Sequence, residues 1–289
     1  MKNIKILMQF LLFGFCMISC KKYLEVLPDK KLVTIRNLED LNSLLSAYYT
    51  INHIDPGVGE ASSDNNYLSE TAWQGIDEYE RALYIWGAEN VIRPYSYYGS
   101  GNCWSNSYNV VYLSNTVLTE IEHIKRSNIN KHDWDKIKGE AYFLRGKSFL
   151  ALASVFCLAF DSATADSDFG IPLRITPDFN ELSIRSTLRE TFEQIESDLL
   201  NAVPLLPKEP FHVMLPGKAA ALGYLARLYH YMRKYDLALK YADSCLKLHN
   251  SLLDYNIDIQ PSDSYPFKRF NKEVIYACRM AYPASLQYG

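Results

Sequence analysis

The residues best suited to binding chemistry lie in one glycine-rich loop, residues 93–102, which reads Arg-Pro-Tyr-Ser-Tyr-Tyr-Gly-Ser-Gly-Asn. Its three tyrosines follow a proline and precede two glycines, so no helix can turn all three side chains inward. Each offers an apolar ring and a hydroxyl, and the flanking arginine and asparagine offer hydrogen-bond partners, which are the contacts that sugars need. We therefore predict a noncatalytic glycan-binding face here, with one earlier tryptophan beside it. The candidate ligand-binding residues are Trp73, Arg93, Tyr95, Tyr97, Tyr98 and Asn102.

The same tyrosines allow a second interpretation, in which they cover the helices beneath the loop. The chain contains 22 Tyr against 13 Phe. This surplus suits a surface that grips a ligand, but it also suits tyrosines at helix contacts. The sequence leaves both interpretations open.

Motifs for catalysis, metal binding and cofactor binding are missing from the sequence. It has no HExxH, phosphate loop, GxSxG or paired His/Cys motif, and no spacing among its carboxylates identifies a glycosidase pair. The cysteines after residue 20, namely Cys103, Cys157, Cys245 and Cys278, form no CxxC pair. Glu60, Asp64 and Asn65 lack the spacing of a calcium loop and favour a polar turn. We predict a binding protein with no catalytic residues, metal or cofactor.

Composition bounds the class of protein. The 289 residues are 48% hydrophobic and 22% charged, which is ordinary for one or two globular domains. The net charge is −3 and no basic patch stands out, which argues against nucleic-acid binding.

The N-terminus is typical of a targeting segment. Lys2 and Lys5 precede an apolar run, residues 6–18, that is too short for a comfortable membrane span. The run ends in Ser19-Cys20, which is typical of a bacterial lipoprotein cleavage site, so we predict a signal peptide over residues 1–19 and lipidation of Cys20. The alternative is plain secretion with an ordinary thiol at this position. Residues 20–36 are predicted to be an extended tether.

One stretch, residues 217–248, predicts a helical pair with a turn near Arg233. Large apolar residues recur at helical spacing in its first half, while Ala238, Ala242 and Cys245 recur in its second half. Small residues opposite large ones let two antiparallel helices pack closely, and the pattern resembles the tetratricopeptide (TPR) repeat. Arg233 occupies a position where that pattern usually has glycine.

Further helices are predicted from capping residues and apolar stripes. Asn37 caps one helix, and Thr187 and Glu190 form the capping box of another. A long helix follows Trp104 and carries Asn115 on its apolar stripe, where a buried structural role is expected. Asp133 is predicted to cap a helix that continues to about Phe160. The remaining predictions are a polar loop over residues 57–66, largely irregular structure over 67–106 and a short strand over 274–278.

Taken in order, these features resemble the SusD/RagB family of outer-membrane lipoproteins of Bacteroidetes. The residues that carry the resemblance are Ser19-Cys20 with Tyr23-Leu24-Glu25, Ser63-Asp64-Asn65, Tyr84-Ile85-Trp86, Trp104 with Tyr108 and Asn115, and the stretches 139–145, 169–173, 195–207 and 217–227.

The resemblance implies a mainly α fold of TPR-like helical pairs with long irregular loops. It also implies a surface-exposed lipoprotein that captures glycans or other nutrients for a TonB-dependent SusC-like transporter in the outer membrane. Because family members are longer, residues 37–289 are expected to form a SusD-like helical domain truncated at its C-terminus.

A second hypothesis is a lipid-anchored TPR-like scaffold that binds protein. A dry groove rich in Leu and Met would favour the scaffold, whereas a wet Trp/Tyr surface with Asn and Asp would favour a glycan.

Overall fold

The computed structural model describes residues 35–53, 55–65, 67–87 and 102–280, and the structural statements below concern these residues. All of the described helices lie in one compact unit, whose first residue is Asn37. The helices are α1 Leu38–Leu45, α2 Tyr48–Ile51, α3 Val58–Ala61, α4 Glu70–Gly75, α5 Glu78–Tyr84, α6 Cys103–Glu120, α7 Lys131–Phe156, α8 Leu188–Leu205, α9 Lys218–Tyr231 and α10 Tyr235–Leu246. A 3₁₀ turn, Ile121–His123, follows α6, and two short strands, β1 Phe169–Pro172 and β2 Arg185–Thr187, pair antiparallel between α7 and α8.

The core is a row of long helices in which each helix from α6 to α9 packs against the next one along the chain. The central helix, α7, also contacts α1 and β1. Its residues 139–150 are buried except for Tyr142, because neighbouring helices cover it on several sides. The predicted mainly α fold of helical pairs is confirmed. In the described ranges, no helix has the length and apolarity needed to cross a bilayer.

Two glycines allow α7 and α8 to approach closely. A Cβ atom on Gly139 would lie 2.9 Å from Leu205 Cβ, and one on Gly146 would lie 3.1 Å from Asp198 Cβ. Gly146 directly follows Arg145, so this close approach places the backbones of Arg145 and Asp198 near enough for their side chains to pair.

Local capping signals set the starts of several helices as predicted. Asn37 accepts a hydrogen bond from the Asp40 amide at 3.0 Å, and Thr187 forms a capping box with Glu190 at the start of α8. The helical pair α9–α10 also forms, joined by residues 232–234. Arg233, in the usual glycine position, adopts a left-handed backbone with φ 57°.

Several predicted boundaries were wrong. Residues 57–66 contain the one-turn helix α3, because Val58 and Ala61 are buried against Tyr79 and Leu83. The stretch 67–106, predicted to be irregular, contains α4 and α5, each started by a side-chain cap from Ser69 or Asp77. Residues 88–101 of that stretch lie outside the described residues.

The limits of α7 also differ from the prediction. The helix begins after Asn130, whose side chain closes a turn by accepting from the Ser127 amide at 2.7 Å, and Asp133 lies within the first turn. It ends at Phe156 because Cys157 adopts an extended backbone conformation, and the chain then leaves for β1.

The predicted strand at 274–278 does not form. Its Ala277 amide donates to the Val213 carbonyl at 2.8 Å, and Arg279 donates to the Asn52 carbonyl at 2.6 Å. These bonds go to separate segments, so only an isolated bridge between Asp55 and Met280 results.

Candidate ligand-binding site

A cavity of about 370 Å³ lies between α6 and the segment that connects β1 to β2. Its size falls in the range of small-molecule sites. We call it the aromatic pocket. Its lining residues are Trp104, Tyr108, Val111, Tyr112, Asn115, Pro172, Arg174, Thr176, Pro177, Asp178, Phe179 and Ser183.

One wall of the aromatic pocket is a ladder of rings along α6. Trp104, Tyr108 and Tyr112 are four residues apart, so they lie on the same side of the helix. The Trp104 and Tyr108 ring centroids are 4.9 Å apart, and Phe156 of α7 meets Trp104 edge-on at 4.8 Å. Packing between these rings fixes their orientation toward the cavity.

The opposite wall contributes Phe179, which lies over Tyr112 with 4.6 Å between ring centroids and 34° between planes. Phe179 is 75% exposed despite this contact. The Tyr108 hydroxyl donates to the Pro172 carbonyl at 2.7 Å, which joins the two walls at the middle of the ladder. Burial raises the pKa of Tyr108 well above its usual range, so the hydroxyl keeps its proton for this bond.

A buried polar network holds the second wall in place. The Asn115 amide donates to the carbonyls of Arg174 and Thr176 at 2.9 and 3.1 Å, and its oxygen accepts from Arg145 at 2.9 Å. Arg145 also donates to the Ile175 carbonyl at 3.4 Å. Three consecutive carbonyls of the pocket wall therefore depend on two side chains of α6 and α7. The expected structural role of Asn115, which is 1% exposed, is confirmed.

Asp198 of α8 completes this network. Its carboxylate accepts two hydrogen bonds from the Arg145 guanidinium, at 2.6 and 2.9 Å, and a third from Gln194 at 3.0 Å. Burial raises the pKa of Asp198, and the facing guanidinium opposes that shift. The pair is satisfied at both ends, so Arg145 is held where it can reach the pocket wall.

The polar groups on the second wall mostly bond to one another. Arg174 donates to the Glu181 carbonyl at 2.6 Å, to Ser183 Oγ at 3.1 Å and also to the Asp178 carbonyl. Thr176 Oγ1 donates to Glu181 Oε2 at 2.9 Å. These bonds give the 174–183 segment a fixed shape without regular secondary structure.

Comparison with known proteins identifies the family. A model of SusD-like proteins, described as starch-binding and associating with the outer membrane, matches residues 22–230 of the chain. The chain belongs to the SusD-like family. None of the curated proteins matches it.

Solved SusD-like structures share the fold. A putative sugar-binding protein from Bacteroides vulgatus matches with a TM-score of 0.61 at 21% identity, covering 75% of this chain and 47% of its own. A SusD superfamily protein from Bacteroides thetaiotaomicron matches with a TM-score of 0.60 at 21% identity, covering 76% and 49%. A laminarin-binding SusD-like protein matches with a TM-score of 0.55 at 17% identity, covering 80% and 48%. This SusD-like chain spans about half the length of these proteins.

Two of the predicted site residues fall in the described part of this SusD-like chain. Trp73 is half-buried in a small cluster with Leu68, Ile76 and Tyr84, and the Arg81 guanidinium lies 5.7 Å from its ring centroid. Its indole N–H is buried and has no hydrogen-bond partner among the described residues. Trp73 is not one of the residues that line the aromatic pocket.

Asn102 caps α6, and its Oδ1 accepts from the Ser105 amide at 2.9 Å. Asn102 lies two residues before Trp104, which lines the aromatic pocket. The other candidates, Arg93, Tyr95, Tyr97 and Tyr98, lie outside the described residues, so their role stays a prediction.

Sequence reasoning missed the pocket residues Tyr112 and Phe179. The four-residue spacing of Trp104, Tyr108 and Tyr112 was a usable signal, because it predicts one aromatic edge on the helix. Phe179 carries no such signal, since it reaches Tyr112 from the β1–β2 connection. Trp86, one of the residues that carry the family resemblance, is 81% exposed, and its indole donates to the Ser62 carbonyl at 2.7 Å.

Proposed function

We propose that this protein captures glycans without acting on them and that the aromatic pocket forms part of its sugar site. The observation that carries the proposal is the contacting pair of Tyr112 and Phe179 in the lining of a cavity with room for a small ligand. Sugar rings have apolar C–H faces that pack on aromatic rings, while their hydroxyls need polar partners. Asp178, Thr176 and Ser183 supply polar atoms at the same wall.

The lining of the pocket also bears on the scaffold hypothesis. Among the described residues that line it there is no Leu or Met, and Trp, Tyr, Asn and Asp are present. A groove for a protein helix would instead offer a continuous aliphatic surface. The lining therefore supports a glycan over a peptide.

The membrane attachment and the partner belong to the same proposal. The leader and Ser19-Cys20 support a lipid anchor at Cys20, and the family description supports an outer-membrane location. The protein would then hand its ligand to a TonB-dependent SusC-like transporter at the cell surface. Labelled fatty acid should be incorporated by the full chain and not by Cys20→Ala, and equal labelling would contradict the anchor.

The pocket is tested with the variant Tyr112→Ala/Phe179→Ala. Isothermal calorimetry with starch- and laminarin-type oligosaccharides should show at least a tenfold loss of affinity, which is about 1.4 kcal/mol. The matched control is Phe211→Ala, which removes a ring that is 99% exposed and does not line the pocket. Unchanged affinity in a double variant that melts like the parent would contradict the pocket assignment.

The loop at residues 93–102 is tested separately with Tyr97→Ala/Tyr98→Ala. A stable variant that loses oligosaccharide binding would make the loop part of the site. A variant that loses several kcal/mol of stability would show that these tyrosines are packed on the helices instead. Binding with unchanged affinity would limit the site to other residues.

A further inference from the structure

The charges around the aromatic pocket are unfavourable for an anionic ligand. Among the described residues that line it, Arg174 is the one cation and Asp178 the one carboxylate. Glu181 adds a second carboxylate beside them, with its Oε2 3.8 Å from Arg174 Nε. In the segment that carries Phe179, the local balance is therefore one positive charge against two negative charges. A further cation, Arg185, lies near Tyr108 and donates to the carbonyls of Gly170, Phe156 and Phe169.

The guanidinium of Arg174 is already committed to the pocket wall. It donates to the Glu181 carbonyl and Ser183 Oγ through one terminal nitrogen and to the Asp178 carbonyl through the other. Its Nε faces the Glu181 carboxylate. A guanidinium has five N–H donors, and a carboxylate or sulfate is gripped best by two parallel ones. Three of the five donors are used in the bonds above and Nε faces Glu181, so an anion that took a parallel pair would compete with the groups that shape the wall.

The Asp178 carboxylate, in contrast to the Arg174 guanidinium, has unused hydrogen-bonding positions. Its Oδ1 accepts from the backbone amide and the side-chain amide of Asn180, at 2.8 and 3.0 Å. A carboxylate has about four acceptor positions, so this group can still accept hydrogen bonds from sugar hydroxyls. The same charge repels a uronic acid or a sulfate ester at close range.

We propose that the aromatic pocket selects uncharged glycans and rejects glycans that carry carboxylates or sulfates. This inference rests on the glycan-binding function proposed above and narrows its substrate class. The rings of Tyr112 and Phe179 bind the apolar face of the sugar, and Asp178 accepts hydrogen bonds from its hydroxyls. Arg174 stabilises the wall of the pocket and does not bind the ligand.

The test compares matched neutral and acidic ligands on the full chain by calorimetry. Suitable pairs are laminarin oligosaccharides with their sulfated forms, xylooligosaccharides with and without glucuronic acid, and methyl-esterified oligogalacturonides with the free acids. We expect a neutral member to bind and its acidic partner to bind at least tenfold more weakly. Equal or tighter binding of the acidic partner would overturn the selectivity while leaving glycan capture standing. Failure of every glycan to bind would overturn both proposals.

A charge variant checks the cause. Glu181→Gln keeps an acceptor for Thr176 and removes one negative charge, so the affinity gap between the neutral and acidic partners should narrow severalfold. The matched control is Glu209→Gln, which makes the same charge change at an exposed residue outside the pocket lining and should leave the gap unchanged. The gap in the parent chain should also shrink as salt is raised, because screening weakens the repulsion. An unchanged gap in Glu181→Gln would show that these charges do not set the selectivity.

Discussion

Two charged residues on the buried part of α7, Arg145 and Glu140, differ in how well their charges are paired. Arg145 is 7% exposed and bonds to Asp198, Asn115 and the pocket wall. Glu140 is 3% exposed, and one of its carboxylate oxygens has no hydrogen-bond partner in the described structure. Its nearest opposite charge is Lys136, with Nζ 4.0 Å from Oε1.

The difference shows that burial alone does not tell what a charge does. The Arg145–Asp198 pair offsets part of its desolvation cost through several charge-assisted hydrogen bonds and positions the wall of the aromatic pocket. Glu140 recovers little of that cost, so burial raises its pKa to about 7 and Lys136 only partly opposes the shift. One residue supports the site, and the other makes stability depend on pH.

The largest expected effect comes from breaking the satisfied pair. Asp198→Ala leaves the Arg145 guanidinium buried without its partner and should lower the free energy of unfolding by about 3–5 kcal/mol. The double change Arg145→Met/Asp198→Leu removes both charges and should cost less than Asp198→Ala. Urea denaturation measures both, and a double variant that is less stable than the single one would contradict a charge-pair explanation.

The double variant also tests the link to the pocket. Without Arg145, the Ile175 carbonyl and Asn115 lose a donor, so the wall that carries Phe179 should be held less firmly. We expect the folded double variant to bind glycan more weakly than the parent. Unchanged affinity would show that Asn115 alone holds the wall.

The contrast between local and long-range signals explains what the sequence could predict. Asn37 and Thr187 cap their own helices, so their roles depend on residues three positions away. The structural role of Asn115 was also predictable, because a polar residue on an apolar stripe must find partners. Its partners, Arg174 and Thr176, are about 60 residues away, and no local pattern names them.

The same reasoning explains why the site predicted from sequence did not include every pocket residue. Phe179 becomes a pocket residue only through the β1–β2 connection, which brings it to Tyr112 of α6. Trp73 is predicted to lie beside the loop at residues 93–102; the structure packs it against Leu68 and Ile76 in a small cluster, and its role in ligand binding stays a prediction. Counting aromatics along a stretch does not separate rings that pack from rings that face a cavity.

A smaller change in the free energy of unfolding, an increase this time, is expected from Glu140→Gln. The pKa of Glu140 is raised from 4.5 in the unfolded chain to about 7 in the folded one, so folding binds a proton between these values. The parent therefore loses stability as pH rises from about 4.5 to 7, whereas the glutamine variant does not. We expect equal stabilities below pH 4.5 and an advantage of roughly 3 kcal/mol for Glu140→Gln above pH 7.

Urea denaturation at several pH values measures this difference, and the other titrating groups cancel because both proteins share them. Equal stability of the two proteins at every pH would mean that Glu140 gains partners in solution that satisfy its charge. Greater stability of the parent at neutral pH would show that the carboxylate has a favourable partner, which would remove the contrast with Arg145.

The smallest effect concerns Lys136, the one group that lowers the pKa of Glu140. Lys136→Met keeps an aliphatic side chain of similar length and removes the charge, so the pKa of Glu140 should rise further. Stability at pH 8 should then fall by roughly 0.5–1 kcal/mol, because Lys136 is partly exposed and its attraction is screened.

Lys136 also donates to Asn42 of α1 at 3.3 Å, and losing that bond adds a cost that does not depend on Glu140. A double-mutant cycle separates the two contributions: in the Glu140→Gln background, Lys136→Met should cost only the Asn42 bond. The coupling between residues 136 and 140 should also vanish below pH 4.5, where Glu140 is neutral in both states. A coupling that persists at acid pH would show that residues 136 and 140 interact through packing and not through charge. Glu140 would then have no electrostatic partner in Lys136, in full contrast to Arg145.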